Sequence, residues 1–249
     1  MSNNPGRKNP LLQAERADRN RKILIQVAVA AVLIGLVAAI GIGIAIKKAE
    51  RDDPGPTPSI AAAQAPGAVS GSITDNGSIR VGKPEAKVTV RVVADLQCPA
   101  CKSFEAAYGQ LLEDAVASGT AAVEYNIISF LDKASTTEYS TRAANASYCV
   151  AQQDPTKYQA WLKAMFAQQP PEGGSGLTDQ QLIEIAKSVG YTDDVASCIT
   201  DRTYDKYVAS TTNQAFDSGI QSTPTVFVDG KQVNPSALEQ AIATAAAGQ

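Results

Sequence analysis

The sequence predicts an α/β fold that follows one apolar helix near the N-terminus. Residues 88–94 form an apolar, β-branched run, and residues 99–118 carry apolar side chains at helical spacing. A second β-rich run at 122–128 completes a strand, a helix and a strand, which form one right-handed parallel unit. The apolar run at 23–46 exceeds the roughly 20 residues that a helix needs to cross a bilayer.

Helical patterns fill the interval between this unit and the next strand signal. They lie at 137–152, 155–168, 178–189, 194–199 and 203–217. Strand character returns at 225–229 and 232–233, on either side of an Asp-Gly turn signal, and a last helix is predicted at 235–247. The predicted order is therefore strand, helix, strand, helical block, strand, strand and helix.

The apolar run at 23–46 has two interpretations, an uncleaved anchor and a cleaved signal peptide. The apolar core of a signal peptide is normally about 7 to 15 residues long and is closely followed by a cleavage site with small residues. Here Lys47 and Lys48 follow directly, which favours the anchor. Six basic residues precede the run and three follow it closely, so we expect a cytoplasmic N-terminus and an exported remainder.

These signals divide the chain into four parts. We expect a basic cytoplasmic tail at 1–22, a transmembrane anchor at 23–46 and a Pro/Ala/Gly-rich linker at 47–78 that acts as a spacer. The folded domain is expected at 79–249, with its helical insertion at about 131–218. A turn signal, Asp-Asn-Gly-Ser, lies at the end of the linker and is compatible with a short hairpin that already begins the domain.

Charge is distributed unevenly along the chain. Residues 1–53 hold nine basic and five acidic side chains, a net charge of +4, whereas residues 54–249 hold thirteen and twenty, a net charge of −7. An acidic exported part without a basic patch gives no sign of nucleic-acid binding.

Two cysteines, Cys98 and Cys101, lie where the first predicted strand meets the first predicted helix. Pro99 occupies a position favoured at the start of a helix, so Cys98 is expected at or next to the N-cap and Cys101 one turn further. Free N–H groups and the helix dipole stabilise an anion there, and cysteines in such settings have pKa values of roughly 3.5 to 7.5. We therefore expect Cys98 to be the attacking thiol and Cys101 the resolving one.

A zinc half-site, a haem attachment site and a structural pair are the alternatives for these cysteines. Zinc needs about four ligands, and the chain has neither a histidine nor a second close cysteine pair. A c-type haem site needs histidine at position 102, where the chain has lysine. The sequence therefore favours a redox pair over a metal site.

The predicted order, the Cys-Pro-Ala-Cys motif and the run Ser-Thr-Pro-Thr-Val-Phe-Val at 222–228 together resemble the DsbA-like family. The resemblance implies a thioredoxin fold with an inserted α-helical block, and in detail it is to the membrane-anchored proteins of actinobacteria. It also implies that Pro99, Ala100, Thr223 and Pro224 form the active-site loops and that the bond before Pro224 is cis. The alternative is an ordinary proline of an edge strand with a surface threonine.

The same resemblance implies an extracytoplasmic thiol:disulfide oxidoreductase that acts in protein folding by introducing disulfides. Its substrates would be reduced exported proteins, and its reoxidant a quinone-linked membrane protein similar to vitamin K epoxide reductase. No bound organic cofactor is needed, and we expect a monomer. The alternatives are a disulfide reductase or isomerase, and an anchored module that binds polypeptides without catalysis.

The remaining cysteines, Cys149 and Cys198, both fall in predicted helices. Four cysteines allow three pairings, and the assignment of the other two to the redox site leaves one. Because spare thiols in an exported domain tend to pair, we expect a structural disulfide between these two residues. Two separate buried thiols are the alternative.

Three positions around the motif bear on its reduction potential. The better-known strongly oxidising relatives have Pro-His where this chain has Pro99 and Ala100, which implies a weaker oxidant. Thioredoxin-like relatives often bury an acid where this chain has Val92, so a carboxylate that destabilises the thiolate is expected to be missing. Asp95 could tune the pKa of Cys98, accept a proton, cap the helix or face solvent.

Overall fold

A computed structural model describes residues 10–61 and 67–248 of the 249-residue chain. The first nine residues of the predicted tail and residues 62–66 of the predicted linker lie outside the described residues. The chain divides into two compact units, Met1–Asp52 and Asp53–Gln249.

The first unit contains helix α1, Pro10–Asp52. Its segment Arg19–Ala49 is the one helical stretch in the described residues that is long and apolar enough to cross a membrane, with a mean hydropathy of 2.8. The large apolar side chains of this segment are exposed. A membrane anchor and a signal sequence both fit a helix of this kind near the N-terminus.

The second unit begins with a segment that lies against the folded domain. Asp53 forms an ion pair with Lys206 over 3.1 Å, Pro58 is buried, and Ile60 packs against the core. These residues belong to the stretch that the sequence assigned to a spacer. Because Pro58 and Ile60 bury apolar surface, this part of the stretch is docked rather than free.

The sheet of the second unit has six strands. Its strands are β1 (Ser70–Ile73), β2 (Ile79–Gly82), β3 (Val88–Ala94), β4 (Ala121–Ile127), β5 (Thr225–Val228) and β6 (Lys231–Val233), in the spatial order β1-β2-β4-β3-β5-β6. Only β3 and β4 pair in parallel, and they are joined by helix α2, Pro99–Ser118, as the sequence predicted. The other pairs are antiparallel.

The hairpin of β1 and β2 extends the sheet into the predicted linker. Its turn is closed by Asn76, whose side chain accepts hydrogen bonds from the backbone and hydroxyl of Ser78. Gly77 has a positive φ of 76° and lies so close to Thr211 that a Cβ atom would clash with it. The carbonyl of Gly77 also accepts a hydrogen bond from Tyr148, so the hairpin is attached to the helical block.

Strand β4 is buried along nearly its whole length, which shows that both faces of the central sheet are covered. Helix α2 packs against β4, and the last helix, α8 (Leu238–Ala247), packs against β3 and β5. The central position of β3 therefore places its C-terminal end between β4 and β5.

Five helices fill the interval between β4 and β5, as the sequence predicted. They are α3 (Tyr139–Gln153), α4 (Tyr158–Ala167), α5 (Asp179–Ser188), α6 (Val195–Thr200) and α7 (Asp205–Asp217). Helix α3 is almost wholly buried, since it packs against the other four helices. Trp161 on α4 is fully buried and packs against Tyr158, with ring centroids 5.6 Å apart.

A disulfide joins Cys149 on α3 to Cys198 on α6, with the two Cα atoms 5.8 Å apart. It closes a loop with a sequence separation of 49 residues. In the chain-entropy model a loop of this length corresponds to about 4 kcal/mol of stabilisation. The bond thus connects the central helix of the block to its shortest helix.

Replacing both residues, Cys149→Ser with Cys198→Ser, is expected to lower the free energy of unfolding by up to about 4 kcal/mol, because the unfolded chain regains loop entropy. The measurement is urea unfolding of the full chain in detergent, followed by the fluorescence of Trp161, the sole tryptophan. Replacing Cys98 and Cys101 by serine is the control, which also removes two cysteines. Equal stability of the two double variants would contradict a stabilising role of the disulfide.

Candidate active site

The Cys-Pro-Ala-Cys motif lies at the junction of β3 and α2. Cys98 is the N-cap residue of α2, with extended backbone angles (φ −75°, ψ 119°), and Pro99 is the first helical residue. The carbonyl of Cys98 accepts hydrogen bonds from the backbone of Cys101 at 3.1 Å and of Lys102 at 3.2 Å. The motif is therefore held by the first turn of the helix, with the N–H groups of that turn directed towards Cys98.

The two thiols differ in their access to solvent. Both are free and buried, but Cys98 keeps 7% of its surface exposed and Cys101 only 1%. Pro99 and Ala100 between them are exposed. A thiol of another protein can therefore approach Cys98 from the side of these two residues, whereas Cys101 is shielded by its own helix.

The loop before β5 faces the cysteines. Strand β5 pairs with β3 so that Thr225 lies opposite Val93, and this register places the cis bond between Thr223 and Pro224 beside the end of β3. The carbonyl of Thr223 lies 3.4 Å from Sγ of Cys98, where it can accept a hydrogen bond from the protonated thiol. The structure thus brings together the two segments, 125 residues apart, that the resemblance named as active-site loops.

The surroundings of Cys98 favour its thiolate. A hydrogen bond from the Cys101 thiol is the largest cause, and it lowers the pKa of Cys98 to about 5 although burial opposes this shift. The Thr223 side chain and the backbone amides of Cys101 and Ala100 lower the pKa further. At neutral pH Cys98 is therefore ionised.

The surroundings of Cys101 favour its protonated thiol. Burial raises the pKa of its thiol far above the ordinary value, and the hydrogen bond to Cys98 and the charge of that residue raise it further. The pair therefore holds one proton at neutral pH, on Cys101. This asymmetry is the one expected from the sequence for an attacking thiol at Cys98 and a resolving thiol at Cys101.

Asp95, at the end of β3, is completely buried, which excludes the solvent-facing role that the sequence left open. Its Oδ1 accepts hydrogen bonds from the backbone of Gln97 at 2.7 Å and from the hydroxyl of Ser140 at 2.8 Å. Its Oδ2 accepts one from the backbone of Leu131 at 2.7 Å. Burial raises the pKa of Asp95 to about 6, and these donors oppose the shift.

Two glutamines that the sequence did not single out also hold the motif. Gln169, just after α4, donates from Nε2 to the carbonyls of Leu96 at 3.0 Å and Cys98 at 2.9 Å. Gln97 donates from Nε2 to the carbonyl of Leu131 at 3.0 Å. Gln169 lies about seventy residues after the carbonyls it binds, so no local pattern pointed to it.

The fold can now be compared with known proteins. A family model described as thioredoxin matches residues 74–244, which include both active-site loops and the helical block. The chain belongs to the thioredoxin family. The match confirms the predicted fold class, a thioredoxin fold with inserted helices.

Individual proteins support the resemblance to DsbA-type proteins. The chain is similar to reduced DsbA from Mycobacterium tuberculosis, with 31% identity, 69% of this chain and 98% of the other covered, and a TM-score of 0.57. It is also 27% identical to "Disulfide bond formation protein D" from Bacillus subtilis over 169 residues, which are 67% of this chain and 74% of the relative.

A third likeness covers a smaller part of the relative. The chain is 40% identical over 129 residues, half of its own length, to the serine/threonine-protein kinase PknE of Mycobacterium tuberculosis. It spans 23% of the length of that kinase. The name of the kinase therefore says nothing about the activity of this chain.

Alkylation of the reduced chain should distinguish the two thiols. Iodoacetamide is expected to modify one cysteine, Cys98, with a half-maximal rate near pH 5, because that thiol is ionised above its pKa of about 5. The rate is measured by mass spectrometry across the acidic and neutral range. A midpoint near the pKa of an ordinary thiol, about 8.5, would contradict the assignment.

Cys101→Ala is the informative variant for this experiment. It removes the thiol that contributes most to the low pKa of Cys98, so the midpoint should move to higher pH. The disulfide between Cys149 and Cys198 is not free to react in either protein and provides an internal control. An unchanged midpoint would show that Cys101 does not stabilise the thiolate.

Proposed function

We propose that the chain is a thiol:disulfide oxidoreductase that introduces disulfides into exported proteins through Cys98 and Cys101. The observation that supports this direction best is the stabilised thiolate of Cys98 opposite the Thr223-Pro224 loop. A stabilised thiolate favours the reduced enzyme, and this makes the oxidised enzyme a better acceptor of electrons. The DsbA-type relatives support the same assignment.

The reaction starts from the Cys98–Cys101 disulfide. A substrate thiolate attacks Sγ of Cys98, which forms a mixed disulfide and releases Cys101, and Cys101 then takes up a proton. A second substrate thiolate attacks the substrate sulfur of the mixed disulfide, and Cys98 leaves as a thiolate. The substrate loses two electrons and gains a disulfide, and the enzyme ends as the dithiol that the structure contains.

The dithiol must be reoxidised before the next cycle. We propose a quinone-linked membrane protein similar to vitamin K epoxide reductase as the acceptor. The apolar segment Arg19–Ala49 supports this proposal, since an anchor would keep the domain beside a membrane partner. The basic residues before this segment favour a cytoplasmic N-terminus and an extracytoplasmic domain. We propose that this domain acts as a monomer.

An apolar surface formed by Phe130 and Phe216 suits an unfolded substrate. Phe216 on α7 is 42% exposed, and its ring lies 5.7 Å from that of the half-buried Phe130. Phe130 directly precedes Leu131, whose amide donates a hydrogen bond to Asp95. The side chain of Phe130 packs against a small apolar cluster that includes Ile220, which lies just before the cis-proline loop. Unfolded chains expose apolar side chains, which could pack on this surface while their thiols reach Cys98.

The direction of electron flow is tested by the reduction potential of the pair in glutathione buffers and by oxidation of a reduced model protein. We expect a potential well above that of thioredoxin, about −270 mV, and active oxidation by the full chain. Cys98→Ser should abolish oxidation, whereas the double variant Cys149→Ser with Cys198→Ser should retain it in its folded fraction. A potential near or below that of thioredoxin would support a reductase instead, and unchanged oxidation by Cys98→Ser would contradict the catalytic assignment of Cys98.

Phe216→Ser tests the substrate surface. We expect the KM for a reduced protein substrate to rise several-fold, because burial of one large apolar side chain is worth about 1.5 to 3 kcal/mol when complete. The reduction potential and the rate with a small thiol should not change, since these depend on the cysteines. An unchanged KM would place the binding surface elsewhere.

A further inference from the structure

Asp95 combines three properties that its position in the sequence did not reveal. Its side chain has no exposed surface, both carboxylate oxygens accept hydrogen bonds, and the residue lies at the end of β3 just before the motif. The three donors are an amide of the same loop, the hydroxyl of Ser140 on α3 and the amide of Leu131 after β4. None of them carries a charge, and no lysine or arginine forms an ion pair with Asp95 within the described parts of the chain.

This carboxylate belongs to the same turn as the reactive thiol. The amide of Cys98 donates a hydrogen bond of 3.1 Å to the carbonyl of Asp95, so residues 95–98 form one tight turn. The charge of Cys98 raises the pKa of Asp95, as expected of two acidic groups in one buried turn. Position 92, where thioredoxin-like relatives often bury an acid, is valine in this chain. Asp95, three residues nearer to the motif, supplies a buried carboxylate instead.

We propose that Asp95 is a positioning residue that holds the motif loop and moderates the oxidising power of the Cys98–Cys101 pair by placing a buried negative charge beside Cys98. This role of Asp95 rests on the proposed function, because it matters in the cell only if the cysteine pair oxidises substrates. Reduction of the disulfide creates a thiolate at Cys98. A fixed carboxylate nearby repels that charge, destabilises the reduced enzyme and so makes the disulfide a weaker oxidant.

The hydrogen bonds favour this role over that of a proton carrier. A carboxylate has about four acceptor sites, and fixed donors occupy three of those of Asp95. These donors oppose the effect of burial, and with a pKa of about 6 the group is ionised at neutral pH, where the cysteines exchange disulfides. The titratable groups that interact with it are Cys98 and the buried phenol of Tyr139 on α3.

Asp95→Asn in the full chain is the direct test. The amide keeps the shape and removes the charge that Asp95 carries above its pKa of about 6, so the Cys98 thiolate of the reduced enzyme should lose a repulsive neighbour. The equilibrium with glutathione at pH 8 should shift about tenfold towards the reduced enzyme, which is the change that corresponds to one pKa unit of interaction between the two charges. A folded variant with an unchanged equilibrium constant, or one that shifts towards the oxidised enzyme, would overturn the proposal.

Ser140→Ala is the matched control. It removes one of the three donors but keeps the carboxyl group, which is still ionised at pH 8, so at that pH the variant weakens the positioning of the loop without removing the charge. A small loss of stability is expected, with an equilibrium constant that does not shift towards the reduced enzyme. If Ser140→Ala and Asp95→Asn shift the constant equally and in the same direction, the role of Asp95 is structural and the proposal is wrong.

A second measurement needs no substitution and remains available if Asp95→Asn does not fold. Coupling between two sites is reciprocal, so a carboxylate that acts on Cys98 must itself respond to the redox state. The carboxyl pKa of Asp95, followed by carbon NMR of the full chain in detergent, should be higher in the reduced than in the oxidised protein. Equal values in the two states would overturn the proposal.

These results are separable from those that test the function. The pKa and the equilibrium constant are properties of the isolated protein and need no protein substrate. A chain that shows the coupling between Asp95 and Cys98 but oxidises no substrate would contradict the proposed function alone. A chain that oxidises substrates but lacks this coupling would contradict only the proposed role of Asp95.

Discussion

A thiolate at Cys98 has to be stabilised at a position that is almost removed from water, and much of the surrounding structure meets this constraint. Burial of a charge without compensation is very costly, so the site must provide hydrogen-bond donors. The donors come from the Cys101 thiol, from Thr223 and from the first amides of α2. The position of β3 between β4 and β5 brings these groups together, since α2 starts where β3 ends and the Thr223-Pro224 loop precedes β5.

The helical block has a part in this arrangement that goes beyond covering the sheet. The turn before α2 contains buried polar groups that its own helix does not satisfy, and such groups are costly when unpaired. Gln169 binds the carbonyls of Leu96 and Cys98, and Ser140 binds the carboxylate of Asp95. The inserted helices thus complete the hydrogen bonding of the loop, so a change in their packing would be transmitted to the cysteines.

The sequence predicted those features that depend on neighbouring residues. The start of α2 at Pro99 and the N-terminal position of Cys98 followed from the Cys-Pro dipeptide after a β-rich run. The resemblance supplied the Thr223-Pro224 loop, whose partner lies far away in the chain. The donors from Gln169 and Ser140 could not be predicted, because only the packing of α3 and α4 against the motif brings them to it. The hairpin of β1 and β2 was expected from the turn signal between them, but the extent of β1 was not, since its Ser-Gly-Ser-Ile sequence has little strand propensity and depends on pairing with β2.

Substitutions can alter the stability of the Cys98 thiolate from two directions: at the exposed residues of the motif and at the buried carboxylate of Asp95, which we propose repels it. Pro99 and Ala100 are exposed, so a substitution there can add a group that acts on the thiolate without disturbing the packing. Asp95 is fully buried and joins three segments through its carboxylate, so a substitution there changes the charge and the hydrogen bonding of the loop together. The oxidising strength of such a site is therefore adjusted most readily at its exposed residues, against a background that the buried carboxylate sets.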